Sequence, residues 1–417
     1  MRSVPGVSAQ LGRLKEVAAR QRMISRLSPA THDDWVPYLG LNRSSIALAG
    51  ISPKKANSSV NLLLPALAEE SLFAGLRTAL VFGAHVANGA GMPLRIMYFG
   101  ASKSPKVAEH LAEVVSTITG LSVNKIELVS IWGVDATPIS DSDIWIATYW
   151  STAHAISVAC TMGLLSADQV IYLVQDYEPE FFPGSTVSAL ARATYHAGFR
   201  MVVNSTPLRD YIVRREGLDL DESLVFRPEL DLVGLSRAAE RRKLPDAVRV
   251  TFYGRPSKPR NSFDLGISAL TFASALFAAA RIPVEFVSIG EHHKTISLRN
   301  GELRSLGKLE WSKYFDFLAQ TDVLLSLQQT PHPSHPPLDA VASGGMAVTN
   351  DFGGTRGGTS PRLLARIDDP RSLAAAILEA GEKAMSVPPV RELDIDFVQK
   401  LGKPLADVAQ VALRPYV

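Results

Sequence analysis

This chain of 417 residues has one cysteine, little net charge and no long uninterrupted apolar run. Its one cysteine, Cys160, excludes an internal disulfide framework and fits a reducing compartment. The apolar run HAISVACTMGLL around it predicts a packed thiol instead of a nucleophile. The 43 basic and 41 acidic residues leave a formal net charge of +2, so no overall field favours a nucleic-acid partner. We find no apolar run of the roughly 18 to 20 residues needed to cross a bilayer.

Residues 1–57 are predicted to form a basic N-terminal arm. The segment LGRLKEVAARQRMISRL is charged throughout and has no apolar centre, which argues against a signal peptide. It instead predicts an amphipathic basic helix. Two interpretations stay open: a solvated arm packed on the protein surface, or a contact with a membrane surface or a partner. We therefore expect a cytoplasmic protein, peripheral at the inner membrane face in the second interpretation.

The rest of the chain alternates strand-like and helix-like segments in two tandem series. Continuous apolar runs such as VNLLLP and QVIYLVQD are typical of parallel strands covered on both faces by helices. The pattern predicts an α/β protein with two doubly wound, Rossmann-like domains, 58–235 and 248–386, that face each other across a cleft. The polar residues 236–247 are predicted to be a linker. Residues 387–417 are expected to form a tail helix that crosses back to the N-terminal domain.

Two classes of enzyme are disfavoured by missing motifs. No G-x-G-x-x-G follows a strand, which argues against a nicotinamide enzyme. His332 and His335 lie three residues apart and His292 and His293 are adjacent, but prolines break any helix that would hold the first pair on one face. No HExxH motif or cysteine cluster supports a metal site. The sequence therefore predicts neither a metal nor another cofactor.

The stretch FYGRPSKPRNSFDLG predicts a site for a diphosphate group. Arg255 directly follows a strand and Arg260 comes five residues later, at the edge where parallel sheets bind ligands. Guanidinium groups fork onto phosphate oxygens, although two solvated loop arginines are the alternative interpretation. In TPHPSHPPLDAVASGG we expect a helix after the prolines, with Asp339 in its first turn to bind a ribose. The free backbone N–H groups of Ser334 and His335 are expected to meet a phosphate.

The motif QDYEP lies at the end of a predicted strand in the first domain and is expected to face the acceptor. In the functional interpretation Asp176 and Glu178 orient the acceptor hydroxyl or stabilise positive charge on the sugar. In the alternative they cap the following helix or pair with an arginine. Tyr149, Trp150 and Tyr177 are predicted to bind the acceptor, the first two through a sugar-stacking surface, with a core position as the alternative.

GRPSKPRN followed by PPLDAVASGGMAVTNDFGG resembles the C-terminal domain of retaining GT-B glycosyltransferases. The resemblance places Arg255 on the family's arginine, Arg260 on its lysine and Asp339 on its second, ribose-binding acid. Pro331 stands where the family has its first acid, which commonly contacts the donor sugar. The acid of the usual sugar contact is therefore missing at this position.

IYLVQDYEPEFFPGSTVSALARATYHAGF and TPHPSHPPLDAVASGGMAVTN look most like bacterial rhamnosyltransferases that build rhamnose-containing cell-surface glycans. The likeness runs from about residue 58 to 385. It implies a dTDP-β-L-rhamnose donor, a glycan or lipid-linked glycan acceptor and no metal. In the segment FAGL, where that group commonly has two glycines, this chain has only Gly75. The predicted donor site comprises Gly75, Gly254, Arg255, Arg260, Gly307, Leu309, Ser334, His335 and Asp339, and the predicted catalytic residues are Asp176, Glu178, Arg255 and Arg260.

Three alternatives remain beside the rhamnosyltransferase hypothesis. A glycosyltransferase of the same fold could use a UDP or GDP sugar. A nucleotide-sugar epimerase would be expected to keep a fuller set of acids than this chain has. A non-catalytic glycan-binding or scaffold protein would be expected to lose the two diphosphate arginines, which are both present.

Overall fold

The computed structural model describes residues 43–51, 57–69, 75–100, 102–131, 137–332 and 334–416. The predicted basic helix of the N-terminal arm lies outside the described residues. The chain forms two compact units. One ends at Val202 and takes in the residues from Leu405 onward, and the other is Val203–Pro404. The domain boundaries predicted from the sequence stay predictions.

The first sheet has seven strands in the order β3-β2-β1-β4-β5-β6-β7. Its strands are β1 Val60–Leu64, β2 Leu94–Tyr98, β3 Ile126–Ser130, β4 Ile144–Ala147, β5 Val170–Val174, β6 Arg200–Asn204 and β7 Val225–Phe226. Every residue of β1, β2, β4 and β5 is buried. This burial on both faces explains why these strands read as continuous apolar runs without alternation.

Helices connect these parallel strands. They are α1 Gly75–Ala90, α2 Pro105–Thr119, α3 Trp150–Thr161, α4 Thr186–Ala193 and α5 Thr206–Glu216. The ends of α2 follow from its sequence: Pro105 lies in the first turn, where no N–H is needed, and Gly120 caps the end at φ 71°. The predicted succession of strands and helices in this part of the chain is confirmed up to α5, and the two-residue strand β7 was not predicted.

The second sheet also has seven strands, in the order β10-β11-β9-β8-β12-β13-β14. They are β8 Val248–Gly254, β9 Val284–Gly290, β10 Ile296–Ser297, β11 Glu302–Gly307, β12 Val323–Leu325, β13 Met346–Asn350 and β14 Leu363–Arg366. The sequence analysis missed β10, β11 and β14. The first two form an antiparallel edge pair, and β11 is largely exposed, so neither carries the apolar run by which buried strands are found.

The helices of the second series are α6 Leu232–Glu240, α7 Phe263–Ala280, α8 Trp311–Leu318, α9 His335–Ala342, α10 Pro370–Ser386 and α11 Ile395–Lys400. Val323 and Leu325 of β12 pack in one core cluster with α7 and α10, while Leu324 packs in another with α6, α8 and α9. Successive side chains of a strand point to opposite faces, so helices cover both faces of this sheet. The prediction of doubly wound α/β architecture is confirmed.

One expectation about apolar length is corrected. Within the described residues, the helical stretch Pro259–Ala280 is long and apolar enough to cross a membrane by length and composition. Its residues Ala269, Ala273 and Phe277 are nevertheless fully buried against the second sheet and α10. The apolar composition of this helix is therefore explained by its packing in the core of the α/β unit.

The predicted linker 236–247 begins inside α6, where Ala238 and Ala239 are buried. Arg242, three residues after Ala239, is also buried and donates hydrogen bonds to Ser343 and Thr321. The first part of this segment is therefore packed structure and not a free linker. At the other end of the chain, the helix α12 Leu405–Leu413 belongs to the unit that contains α1 and packs against that helix.

Candidate functional site

Arg255 lies directly after β8, with its side chain half-buried. Its Nε is 3.5 Å from Oε1 of Glu291, the residue that follows β9. Glu291 also accepts hydrogen bonds from the Ser257 backbone N–H at 2.9 Å and hydroxyl at 2.7 Å. These bonds, ahead of the Arg255 charge, hold the pKa of Glu291 below its usual range. Glu291 thus tethers the loop that carries Arg255.

Gly254 ends β8 at a point of close contact between neighbouring chain segments. A Cβ at this position would come within 2.8 Å of Ser288 Oγ and 3.0 Å of Phe263. The carbonyl of Gly254 accepts the backbone N–H of Glu291 at 2.9 Å. A residue without a side chain is therefore needed here, so that the loop with Arg255 can start at the sheet edge.

Arg260 is exposed in a short 3-10 helix, Pro259–Asn261, that leads into α7. Its carbonyl accepts the backbone N–H of Gln329 at 2.7 Å. Next to it, Asn261 Nδ2 donates to Gln328 Oε1 at 2.7 Å. These bonds join the loop after β8 to the loop after β12. The two strands are neighbours and β9 lies on the other side of β8, so the joined loops lie at the topological switch point where such sheets bind ligands.

The loop that leads into α9 differs from the prediction. The helix begins at His335, inside the proline run, because Pro336 and Pro337 occupy first-turn positions where no N–H donor is required. The backbone N–H of Ser334 is not free, since it donates to Nδ1 of His332 at 3.1 Å. The expectation of a free Ser334 amide for a phosphate was therefore wrong.

His332 and His335 lie near each other in this loop, with ring centroids 6.2 Å apart. Burial lowers the pKa of His332 to about 3 and also lowers the pKa of His335. Both rings are therefore neutral at pH 7. They therefore add no positive charge to this loop, and Nδ1 of His332 is already used by the Ser334 N–H.

Asp339 lies in the second turn of α9, not in the first as predicted, because the helix starts earlier. Its carboxyl group is buried, and its Oδ2 accepts a hydrogen bond from the Tyr314 hydroxyl at 2.8 Å. Burial raises the pKa of Asp339 to about 7, against the opposing effect of the Tyr314 hydrogen bond. Asp339 is thus held by the protein itself, and the carboxyl can be protonated near neutral pH.

Gly307 is the last residue of β11, and Leu309 lies on the short segment between β11 and α8. Gly307 has a φ of 65° and is buried, with the backbone of His292 close to the place of a Cβ. Leu309 is half-buried. Two residues beyond it, Trp311 is 64% exposed and stacks on Tyr314, the partner of Asp339, with a ring-centroid distance of 5.6 Å. The structure therefore connects this segment to Asp339 through an aromatic pair.

In the first unit, the structure brings Gly75 and the QDYEP motif together. Gln175 Nε2 donates a hydrogen bond to the Gly75 carbonyl at 2.9 Å. A Cβ at Gly75 would lie 3.1 Å from Gln175 Oε1. Gly75 is the first residue of α1 and Gln175 directly follows β5, so two separately predicted segments meet at one sheet edge.

Asp176 and Glu178 have different environments. Glu178 is buried and its Oε2 accepts a short hydrogen bond from the N–H of Trp150, the first residue of α3. Burial raises the pKa of Glu178 well above its usual range, although the Trp150 bond acts against this shift. Asp176 is half-buried and accepts the Tyr177 backbone N–H at 2.9 Å. Glu178 thus holds a helix end, and Asp176 is the more accessible acid.

The three aromatic residues predicted to bind the acceptor are mostly packed. Tyr177 is 1% exposed and stacks on Tyr195 with a ring-centroid distance of 5.3 Å. Trp150 is also buried, with its ring edge toward Phe182. Tyr149 is half-buried and leaves part of its ring accessible. The core alternative therefore describes the surroundings of Tyr177 and Trp150 better than a stacking surface does.

The sequence analysis missed Glu291, Tyr314 and Arg356. Arg356 lies between two glycine pairs in the loop after β13, and it is completely buried. Its position inside a glycine-rich loop was the one feature of the sequence that could have singled out Arg356. Near it, Gly354, Gly357 and Gly358 line an open pocket of about 510 Å³ with Asp210 and Arg214 of α5.

The described residues contain no group of three or more histidine, cysteine or acidic side chains that could hold a metal ion. The prediction that no metal or cofactor is needed stays a prediction. Cys160 is half-buried, and burial raises the pKa of its thiol to about 11. The thiol is therefore protonated at pH 7 and a poor nucleophile.

Comparisons with protein families match both halves of the chain. The family described as "WsaF, N-terminal domain" matches residues 59–205, and "WsaF, C-terminal domain" matches residues 248–378. Among curated proteins, "O-antigen biosynthesis protein RfbC" of Myxococcus xanthus is 35% identical over 211 residues. That match covers 50% of this chain but only 16% of RfbC.

Solved structures with a similar fold are distant in sequence. HepE from Anabaena, in complex with UDP and glucose, has a TM-score of 0.50 at 12% identity, covering 86% of this chain and 99% of HepE. Sucrose-phosphate synthase from Thermosynechococcus elongatus has a TM-score of 0.51 at 14% identity, covering 85% and 97%. The N-terminal domain of trehalose-6-phosphate phosphatase from Candida albicans reaches 0.57 at 8% identity, covering 88% and 98%. At these identities the likeness shows the fold, which is the predicted two-domain GT-B fold.

Proposed function

Since this chain is a GT-B glycosyltransferase that contains both WsaF domains, we propose that it transfers L-rhamnose from dTDP-β-L-rhamnose to a cell-surface glycan, with retention. The observation that carries the proposal is the pair of joined loops at the β8–β12 switch point. They join the segment that carries Arg255 and Arg260 to the loop that leads into α9. The RfbC match supports a glycan acceptor, because that protein is named for O-antigen biosynthesis.

The chemistry follows from what two guanidinium groups can do at this edge. Arg255 and Arg260 bind the diphosphate and stabilise its negative charge as the bond from phosphate oxygen to the sugar C1 breaks. The sugar passes through an oxocarbenium-like state, and the acceptor oxygen bonds to C1 on the face that the phosphate leaves. The departing phosphate oxygen takes the acceptor proton, so no separate strong base is required. Asp176 is the acid proposed to orient the acceptor, because Glu178 is buried against the start of α3.

A UDP-sugar donor is the second candidate, and one comparison favours it. HepE, which shares the fold, is described in complex with UDP and glucose. The arginines recognise the diphosphate, which dTDP, UDP and GDP share, so they do not discriminate between the bases. A non-catalytic glycan-binding protein is the third candidate.

Nucleotide binding followed by product analysis separates these candidates. The full chain is titrated with dTDP, UDP and GDP by calorimetry, and then incubated with dTDP-rhamnose or UDP-glucose and lipid-linked glycan acceptors. Mass spectrometry should detect one added deoxyhexose with dTDP-rhamnose, and NMR of the new linkage should show retention. A hexose added only from UDP-glucose would overturn the rhamnose donor. Binding of no nucleotide would favour the non-catalytic protein.

A further inference from the structure

The side chain of Arg356 is fully buried and donates hydrogen bonds to backbone carbonyls of two separate segments. Its Nη1 donates to the Asn350 carbonyl at 2.7 Å and to Asn350 Oδ1 at 2.8 Å. Its Nη2 donates to the Gln328 carbonyl at 3.0 Å and, over a short distance, to that of Thr330. Its Nε lies 3.4 Å from the Pro331 carbonyl. One guanidinium therefore satisfies carbonyls from the end of β13 and from residues 328–331.

Residues 328–331 lie beyond the end of β12 and outside its strand pairing, so their carbonyls depend on other donors. Arg356 supplies donors to the carbonyls of Gln328, Thr330 and Pro331, and the Gln328 carbonyl also accepts from Asn350 Nδ2 at 3.1 Å. Gln328, Thr330 and Pro331 are all buried, and a buried carbonyl without a hydrogen bond costs free energy. The planar guanidinium has five N–H donors in fixed directions, which a lysine ammonium group cannot reproduce. The shape of this loop thus depends on the arginine fork.

The same loop connects directly to the proposed diphosphate site. The Gln329 backbone N–H donates to the Arg260 carbonyl, and the loop continues through His332 and Ser334 into α9. Asn350, held by Arg356, also accepts the Gln328 backbone N–H at 2.8 Å through its Oδ1. A change at Arg356 would therefore be passed to the backbone that carries Arg260 and to the start of α9.

We propose that Arg356 is a positioning residue that sets the conformation of the loop residues 328–332, and through them the diphosphate-binding geometry of Arg260. The diphosphate part rests on the function proposed above. The loop part does not, because it follows from the hydrogen bonds alone. Arg356 does not need to touch the donor.

The fold offers a matched control in Arg242. This arginine is also buried, and it donates to the Thr321 carbonyl at 2.7 Å and to Ser343 Oγ at 3.1 Å. Thr321 precedes β12 and Ser343 follows α9, so Arg242 lies at the opposite, amino edge of the same sheet. Loss of the hydrogen bonds of either arginine should destabilise the fold. Only loss of those of Arg356 should change the loops at the carboxyl ends of the strands, where Arg260 lies.

The test compares full-length Arg356→Lys and Arg242→Lys with the wild type. Hydrogen exchange read by mass spectrometry should show faster exchange in peptides over 328–335 for Arg356→Lys only. Calorimetry with the nucleoside diphosphate that the wild type binds should show affinity lower by about tenfold for Arg356→Lys and within about twofold for Arg242→Lys. In turnover assays, donor KM should rise in Arg356→Lys while acceptor KM stays unchanged.

Chemical rescue separates the specific loss of the guanidinium group from a general loss of stability. In Arg356→Ala, guanidinium chloride at low millimolar concentration should restore part of the diphosphate affinity, and sodium chloride at equal ionic strength should not. Unchanged exchange over 328–335 in Arg356→Lys would overturn the positioning role, whatever the activity of the enzyme. Faster exchange with unchanged diphosphate affinity would overturn the link to Arg260. If the wild type binds no nucleoside diphosphate, the proposed function fails, and the exchange result still decides the loop part.

Discussion

The Tyr314 hydroxyl donates a hydrogen bond to Asp339 Oδ2 at 2.8 Å, linking α8 to the second turn of α9. This bond accounts for a carboxyl group inside an apolar cluster that contains Leu338 and Phe315. It also means that the acid matched to a ribose-binding position already has a partner in the protein. Its protonation state should therefore affect stability as well as any ligand contact.

The first prediction concerns pH and Asp339. Burial raises the pKa of Asp339 from 3.8 to about 7 in the folded protein, so the folded state binds the proton more tightly than the unfolded state. Stability from this group is therefore full below pH 3.8 and is lost as pH rises to about 7. Relative to wild type, Asp339→Asn should gain stability between pH 4 and pH 7.5, by up to about 4 kcal/mol.

Urea unfolding of both proteins at several pH values measures this difference. Glu379→Gln, at an exposed carboxyl whose pKa lies below its usual range, is the control and should show no gain over the same window. A constant difference between Asp339→Asn and wild type from pH 4 to 7.5 would contradict the prediction.

The second prediction concerns Arg255. Arg255→Ala should lower kcat/KM for the nucleotide sugar by about 100-fold, because a preorganised cation for the leaving diphosphate is lost. Stability should change by less than about 1 kcal/mol, because the Arg255–Glu291 contact is partly exposed and 3.5 Å long. Steady-state kinetics and thermal unfolding provide the two measurements. Arg304→Ala removes another partly exposed ion pair of the same sheet and is the control. It should leave kcat/KM and thermal stability nearly unchanged.

The third prediction separates Asp176 from Glu178. Because burial raises the pKa of Glu178 well above its usual range, a neutral carboxamide should replace it well. Glu178→Gln should keep turnover within about threefold, whereas Glu178→Ala should lose about 1 to 3 kcal/mol of stability by leaving the Trp150 N–H unsatisfied. Asp176→Asn should lower turnover by tenfold or more, about 1.4 kcal/mol of barrier.

Turnover assays and denaturant unfolding decide between the two acids. If Glu178→Gln loses more activity than Asp176→Asn at equal stability, Glu178 and not Asp176 is the acid that acts on the acceptor, and the prediction is wrong. The folded fraction of each variant is checked by circular dichroism before the rates are compared.

The fourth prediction uses two glycines with similar backbone angles. Gly344 has a φ of 83°, and a Cβ there would lie 2.5 Å from the Val390 carbonyl oxygen. Gly358 has a φ of 78° with no atom within 4 Å of that position. Gly358→Ala should lower the free energy of unfolding by about 1 kcal/mol, because alanine disfavours the left-handed conformation. Gly344→Ala should lower it by at least about 2 kcal/mol more, because its Cβ also meets the Val390 carbonyl. Equal losses in urea unfolding would show that the backbone near Val390 relaxes freely.

Local sequence patterns were enough to predict most of the strands and helices. Continuous apolar runs such as VNLLL predicted buried strands, since a strand covered on both faces must be apolar at every position. The antiparallel pair β10–β11 was missed because β11 is mostly exposed at the sheet edge and lacks that run. The start of α9 was placed too late because proline breaks a helix interior but is tolerated in a first turn.

The site was predicted less completely, because its residues act through partners far away in sequence. Position after a strand was enough to single out Arg255, since parallel strands present their carboxyl ends at one edge. Nothing local showed that Glu178 would reach the N–H of Trp150, or that Gln175 would bond to Gly75. Each contact depends on which strands become neighbours in the sheet.

The sequence by itself determined the alternation of strands and helices, the two α/β series and the glycines and arginines at their strand ends. Each depends on hydrophobic periodicity or on the position of a residue relative to its own strand. Only the tertiary structure decided which polar groups are buried and what satisfies them. Arg356 is the clearest case: its acceptors on residues 328–331 and 349–350 become a single site only when β12 and β13 pair, because a buried guanidinium is stable only where the fold brings enough acceptors to it.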